Sequence, residues 1–429
     1  MTTHLKKFFL IWKVKELRNS ILVVLGLLLL FRFTSHIPIP GVDVEALRRL
    51  FASNQYLGLL NMFSGGTYQN FSVTAMGVGP YITASIVIQL LTMVIPRLEE
   101  IQKDGESGQR RLNQYMRVLT IPFAALQAYG VIQIMRQGSR GEILANMSMV
   151  QMATIIIAMI AGSMFLMWIG EIISEKKVGN GISLIIFAGI VARLPATFSQ
   201  TVSTFDSSQI LTLVSYVLIG IVTIAGVVFI TEAQRNIPVT YARFVRGQSA
   251  SSGGSTTHLP LRVNMGGVIP IIFAVSVILF PPLIAQFFVN AKTAWLAHTA
   301  SWVVTVSQNR LIYAISYFVL VIFFTYFYTS VIFHPEQIAE NLQKQGGYIP
   351  GIRPGVPTAQ YLQFVTNRIL IVGAIFLAVI AVLPLAVSRL TGTQNLVVGG
   401  TSLLIVVSVI IETVQQIEAQ LVMREYDIS

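Results

Sequence analysis

Five histidines, His4, His36, His258, His298 and His334, have the widest chemical repertoire of any residues in this 429-residue chain. Imidazole serves as general base, as the partner of a nucleophile or as a metal ligand. On a helix, metal-assisted hydrolysis asks for two histidines at i, i+4 in an H-E-x-x-H run. None of the five stands in that relation, and all fall in expected loops, termini or helix ends. Cysteine is absent, which removes thiolate nucleophiles, thiolate metal sites and disulfides. Neither a G-x-S-x-G elbow nor a phosphate-cradling P-loop occurs. Glu171, Glu232 and Glu412 stand near the ends of long apolar stretches, where a carboxylate sits at headgroup level. No catalytic residue, metal or cofactor is implied, and an enzyme is not expected.

The elements that would have to position any site are apolar. Hydrophobic residues make up 54% of the chain and charged residues 11%, against about 25% charged in an ordinary soluble domain. A helical span needs about 20 apolar residues. Ten such stretches are expected, near 19–36, 71–95, 115–135, 150–171, 182–203, 210–231, 265–288, 310–332, 366–388 and 397–417. They are continuous runs rather than alternating ten-residue pieces, so helices are expected and not barrel strands. The fold class is an all-α polytopic membrane protein. Ile21–Phe31 lacks a small-residue cleavage site after it and reads as the first span. Gly77-Val-Gly-Pro80 in span two, and Gly266-Gly267 with Pro270 in span seven, predict kinked or segmented helices.

Lys and Arg set the expected orientation. With the N-terminus inside, Arg32, Arg48, Arg49, Arg136, Arg140, Arg193, Lys292, Arg310 and Arg389 fall on the outer side, and the other 20 of the 29 fall inside. Both termini are therefore expected to be cytoplasmic. The net charge of +11 is mainly this topological bias. It also suits anionic lipids as a partner and gives no reason to invoke nucleic acid.

Three connections are long: 37–70 outside, and 232–264 and 333–365 inside. The inner pair mixes basic residues with Pro and Gly, as in Gln234-Arg-Asn-Ile-Pro-Val-Thr-Tyr-Ala-Arg243 and Tyr348-Ile-Pro-Gly-Ile-Arg-Pro-Gly-Val-Pro357. For any single Arg, positive-inside anchoring suffices. Two such loops on one face predict a docking platform. A short amphipathic helix is expected over 334–344. Ser249–Thr257 has linker composition. In the outer loop, the run from Asn54 to Gly66 is a helix too short to span, ended by paired glycines. Lying on the membrane surface and folding back into the protein both fit it.

Ile82 and Ile86 are i, i+4 on one helix face, and Ile186 and Ile190 repeat the spacing in span five. Such pairs are ordinarily packing or lipid contact.

Gly79-Pro-Tyr-Ile-Thr-Ala-Ser-Ile-Val-Ile-Gln-Leu-Leu91, Gly179-Asn-Gly-Ile-Ser-Leu-Ile-Ile-Phe-Ala-Gly-Ile190, Thr257-His-Leu-Pro-Leu-Arg-Val-Asn-Met-Gly-Gly-Val-Ile-Pro270, Pro350-Gly-Ile-Arg-Pro-Gly355 and Gly399-Gly-Thr-Ser-Leu-Leu-Ile405 resemble the SecY family, the large subunits of the bacterial protein-conducting channel. The resemblance runs from about residue 5 to the C-terminus. It implies ten helices in two inverted halves around a central pore, 1–205 and 206–429, in a bacterial plasma membrane. By motif position it places a pore ring at Ile82, Ile86, Ile186, Ile190, Ile272 and Ile405. It implies a plug at about 57–67, comprising Leu57, Gly58, Leu59, Leu60, Asn61, Met62, Phe63, Ser64, Gly65 and Gly66. It implies a lateral gate between spans two and seven, with Thr83, Gln89, Ser276 and Phe280 at the seam, where a preprotein signal peptide would lodge. Helix–helix hydrogen bonding is an equal reading of the polar three. It implies docking of the SecA ATPase and the ribosome at Arg243, Arg246 and Arg353, and SecE and SecG as membrane partners. Relatives usually carry more basic residues at the tip of the first inner loop, where this chain has Ser249–Thr257.

Two other function classes make demands that can be compared with these residues. An inverted-repeat secondary transporter needs ionisable or unwound-helix groups near the midplane, where this sequence has mostly Ile, Val, Leu, Ala and Ser. An intramembrane enzyme needs a buried nucleophile or acid–base pair.

Overall fold

Glycine and proline decide where the membrane helices begin. The computed structural model describes residues 12–40, 47, 67–68, 70–138, 148–196, 199, 210–241, 256–289, 291–391 and 400–428. The described helices are α1 (Lys15–Thr34), α2 (Gly79–Val94), α3 (Pro96–Lys103), α4 (Glu106–Gly138), α5 (Met149–Glu175), α6 (Gly181–Val191) and α7 (Ile210–Glu232). They continue with α8 (Ile269–Phe288), α9 (Ala294–Gln308), α10 (Arg310–Ile332), α11 (Pro335–Lys344), α12 (Val356–Thr391) and α13 (Gly400–Ile428). Three strands, β1 (Gln234–Tyr241), β2 (Thr256–Arg262) and β3 (Gly347–Tyr348), form one sheet in the order β2-β1-β3.

Each of the ten expected spans coincides with a helix. Among the described residues seven helices are long and apolar enough to cross a membrane, or eight when the bent pair α2–α3 counts as one. Gly181–Ala196 and Val217–Glu232 are shorter apolar helices at the two remaining places. Three boundaries differ from the sequence reading. Residues 71–78 are turns, and the second span becomes helical only at Gly79. The sharpest break in that span is a 103° bend at Ile95, ahead of Pro96. The cause is local, because Pro disfavours the α region in the residue before it, and Ile95 is extended at φ −102°, ψ 109°. The helices α4 and α12 begin well before the predicted spans.

The chain divides into two units, one of Met1–Tyr216, Val275–Ile315 and Ile405–Ser429, the other of Val217–Ala274 and Ser316–Leu404.

In the first unit α5 is the scaffold, packing against α1, α2, α4 and α6. Small residues bring its backbone close to its neighbours, as helix association in lipid favours. A methyl group on Gly162 would overlap the carbonyl of Val73 in the 71–78 turns. One on Gly181 would overlap the carbonyl of Gly170. Ser174 ties the α5–α6 corner together, because its hydroxyl donates to the Gly170 carbonyl and accepts from the Gly181 N–H, each at 2.9 Å. Asn180 caps α6 by accepting from the Ser183 N–H at 3.1 Å. Helix α13 closes on the same corner. Thr413 stands against Gly179, and the Gln420 amide donates to the Lys177 carbonyl. The 71–78 turns are themselves held, with Ile39 N–H donating to Phe71 O at 2.9 Å and Val73 N–H to Ile37 O at 3.1 Å.

In the second unit the described parts of the long segments 232–264 and 333–365 fold together. Ile237, Val239, Leu261, Leu342, Ile349, Leu362 and Val365 form one buried cluster from β1, β2, α11, the turn after β3 and the start of α12. Pro238 is tolerated in the central strand because β3 pairs only with Thr240 and Tyr241, so the N–H that proline lacks is not missed.

Gly162→Ala is expected to lower the unfolding midpoint of the detergent-purified protein, at a cost of about 1–3 kcal/mol for overpacking. Gly26→Ala, with nothing within 4 Å of the added methyl, leaves the midpoint unchanged. Equal behaviour of the two variants would contradict the packing assignment.

Candidate functional site

The six isoleucines lie on four helices that share two local designs. Gly77 and Gly267 both adopt positive φ, +59° and +57°. Each stands three residues before a proline, Pro80 or Pro270, and α2 and α8 each begin one residue before that proline. Only glycine takes such a φ cheaply, and proline suits the first helical turn. Ile82 and Ile272 thus occupy the same position, two residues past the proline. The second design is Gly181-Ile-Ser-Leu-Ile-Ile186 against Gly400-Thr-Ser-Leu-Leu-Ile405. The helices α6 and α13 both start at the matching glycine, so Ile186 and Ile405 also share a register. This repeat is legible in the sequence as a self-match. It adds Val409, the counterpart of Ile190, which is also buried.

All six isoleucines are buried, with exposures of 7% for Ile82, 2% for Ile86, 4% for Ile186, 5% for Ile190, 5% for Ile272 and 0% for Ile405. Ile82, Ile86, Ile186, Ile190 and Ile405 belong to the first unit and Ile272 to the second. Within the first unit α2 and α6 both pack on α5, and α13 seats on the α5–α6 corner. Around Ile272 the second unit is aromatic, with the Phe273 ring edge-on to Phe324 and Tyr328 at 5.9 Å each. The Asn264 amide donates to Gly267 O at 3.3 Å and steadies the turn that launches α8.

The four expected gate residues fall in the first unit. Thr83 donates to its own helix at Gly79 O, 3.1 Å, and accepts from the Gln127 amide of α4 at 3.2 Å. The helix–helix hydrogen bond therefore describes Thr83, and Gln127 is the partner that the sequence reading missed. Gln89 is half-buried, and its side-chain oxygen has no hydrogen-bond partner among the described residues. Ser276 is half-buried. Phe280 meets Phe123 of α4 edge-on at 5.7 Å, and Phe287 stacks on Tyr129 at 4.9 Å. Between these ring pairs, a methyl group on Gly130 of α4 would come 3.3 Å from Leu283. The C-terminal half of α8 is thus closed against α4 by rings, with glycine allowing the approach.

Of the docking residues, Arg353 is exposed on the turn ahead of α12, and its carbonyl accepts from the Thr358 hydroxyl at 2.8 Å. Arg243, Arg246 and the plug segment 57–66 lie outside the described residues. Among the described residues no group of three or more His, Cys, Asp or Glu could hold a metal ion.

A polytopic helical protein with a paired internal repeat and buried aliphatic positions at matching registers belongs to the class of internally repeated membrane proteins. The family model described as SecY matches residues 72–414, and the chain belongs to the SecY family. It is 41% identical to the protein translocase subunit SecY of Streptomyces coelicolor, covering 97% of both chains. Two solved structures share the fold. The first, of a SecY protein whose plug domain is described as stabilising the closed state of the translocation channel and maintaining a membrane seal, aligns at TM-score 0.62 and 16% identity, over 92% of this chain and 90% of that one. The second, Sec61 in a canine ribosome–channel complex from the endoplasmic reticulum, aligns at TM-score 0.57 and 16% identity over the same shares.

Thr83→Val is expected to strand the Gln127 amide in a buried site and destabilise the protein by about 1–3 kcal/mol. The double variant Thr83→Val with Gln127→Leu recovers most of that loss. A thermal unfolding series of the single and double variants reads this coupling, and strictly additive losses would contradict it.

Proposed function

We infer that the chain is the central subunit of a protein-conducting channel, which passes unfolded polypeptides across a membrane and releases apolar segments sideways into it. The paired register of buried isoleucines on α2 and α8, and on α6 and α13, is the observation that carries this reading.

A translocating chain presents every kind of side chain, so a specific binding site would hold it back. A ring of Ile82, Ile86, Ile186, Ile190, Ile272 and Ile405 offers neither charge nor hydrogen bonds. Empty, such a constriction excludes ions by dewetting. Occupied, branched aliphatic side chains can fit loosely around a polypeptide. The segment 57–66 is the plug in this reading, supported by the plug named in the related structure. The gate is the face of α8 that bears Ser276 and Phe280, with Thr83 and Gln89 on α2. A signal peptide's apolar core gains free energy by passing from there into lipid. Aromatic rings close α8 against the neighbouring α4, and contacts of that kind keep opening cheap. The chain belongs to a family of multi-pass membrane proteins, and the reading places both termini in the cytoplasm.

A passive channel needs an external motor. The platform built from β1, β2, β3 and α11 is a docking surface for the SecA ATPase or the ribosome, with Arg353 exposed at its edge and Arg243 and Arg246 on the first loop. A ribosome–channel complex among the related structures supports this kind of partner. SecE and SecG would complete the membrane assembly, and the inner basic excess would hold anionic lipid.

Ile86→Asn combined with Ile405→Asn is expected to wet the constriction. Proteoliposomes carrying this variant should show raised resting ion conductance and accept preproteins with weaker signal sequences. Unchanged conductance and selectivity would remove the ring from the mechanism. Arg353→Glu is expected to impair SecA-driven protection of a preprotein in the same vesicles while leaving the protein's own insertion intact. Full transport by that variant would remove Arg353 from the docking surface.

A further inference from the structure

The helix α9 has no part in the ring, the gate or the platform. It lies between the end of α8 at Phe288 and the start of α10 at Arg310, and it falls in the first unit with those two adjoining helix ends, within Val275–Ile315. One face of α9 rests on the protein, with Ala300 buried and Leu296, Val303 and Val304 half-buried. The other face carries Trp295, His298, Thr299, Trp302 and Thr305, all exposed. Trp295 is 72% exposed and Trp302 60% exposed, and their spacing of two turns puts both indoles on one side. That face carries no Lys, Arg, Asp or Glu.

Two further observations say what covers it. Hydroxyls along the helix donate back to its own carbonyls, Thr299 to Trp295 O at 2.8 Å, Thr305 to Ser301 O at 2.9 Å and Ser307 to Val303 O at 2.8 Å. Such internal satisfaction suits a medium poorer in hydrogen-bond partners than water. The chain has four tryptophans, all strongly exposed and none in the middle of a span. Trp12 precedes α1 at 49% exposure, and Trp168 stands in the last two turns of α5 at 57%. Tryptophan collects at the headgroup level of a bilayer because its ring is amphipathic.

We propose that α9 is an interfacial helix that docks on the headgroup layer of the bilayer, with Trp295 and Trp302 as its lipid contacts. It lies along the surface, because fifteen residues reach only about 22 Å as a helix, short of the roughly 30 Å hydrocarbon core. Its ends are tied to α8 and α10, so the lipid surface fixes the height of both.

The chain's few indoles make the test direct. The variant Trp12→Phe with Trp168→Phe leaves Trp295 and Trp302 as the only tryptophans. It is reconstituted into phosphatidylcholine–phosphatidylglycerol bilayers whose acyl chains are brominated at shallow or deep carbons. The expected result is loss of emission in both, larger with shallow bromine, and little further loss on adding aqueous iodide. A second variant, Trp295→Phe with Trp302→Phe in the otherwise natural chain, should lose the share of the natural protein's shallow-selective quenching that the first variant retains. Quenching by iodide and not by bromolipid would overturn the proposal in favour of a water-facing or partner-binding helix. Stronger quenching by deep bromine, or quenching by neither agent, would overturn it as well. No transport assay enters, so failure here leaves the channel reading untouched.

Discussion

A helix in hydrocarbon gains nothing by hiding a leucine from lipid, so close backbone contact must hold the elements that carry the buried isoleucines. That constraint organises the first unit. Gly162 meets the Val73 carbonyl, Gly181 meets the Gly170 carbonyl, and Ser174 joins the last two through one hydroxyl. In the second unit Gly373 lets α12 approach the Val263 carbonyl, where a methyl group would come within 2.7 Å. Each contact fixes a backbone rather than a side chain. The registers of Ile82, Ile186 and Ile405 follow from where the neighbouring helix is forced to begin.

Function then depends on using two kinds of contact for two tasks. Parts that stay fixed are joined by glycine and hydrogen bonds, as at the α5–α6 corner and in the 71–78 turns. The seam proposed to open is joined by rings, Phe123 with Phe280 and Tyr129 with Phe287. Ring contacts are non-directional in their main energy and reform in several geometries. A signal peptide offering its own apolar side chains can replace them without leaving buried polar atoms behind. The Thr83–Gln127 bond lies on the fixed side of that seam, between α2 and α4.

Much of this was legible in the residues alone. Apolar run length located a helix at each expected span, seven or eight of them long enough to cross a membrane among the described residues, and the amphipathic stretch after His334 became α11 as expected. The Gly-Pro signals at residues 77–80 and 267–270, which predict kinks within spans, prove to be where the helices α2 and α8 begin. The 103° bend came instead at Pro96, whose effect falls on the residue before it. The strands were missed because Pro238 and Pro260 interrupt the alternation of Ile237, Val239 and Tyr241. Only pairing shows that each proline sits where a ladder bond is absent or faces outward. The helix α9 was missed because Ala-Trp-Leu-Ala-His-Thr-Ala-Ser-Trp is too short for a span and too apolar for a loop. Side-chain pairs such as Phe123–Phe280 join residues far apart in the chain, and local pattern carries no information about them. Family resemblance, rather than spacing, singled out the isoleucines. The structure adds that all six are buried and that their registers repeat on α2 and α8 and on α6 and α13.

The most direct test places a reporter at the ring itself. The natural chain has no cysteine, so single cysteines at positions 82, 186, 272 and 405 report without background. A preprotein bearing one cysteine is arrested midway through the channel, and disulfide formation is scored at each position. A narrow apolar ring around the moving chain predicts cross-links from all four positions to the same short stretch of preprotein. Cross-links from only one of the four, or from none while a cysteine at exposed Val217 reacts, would contradict it.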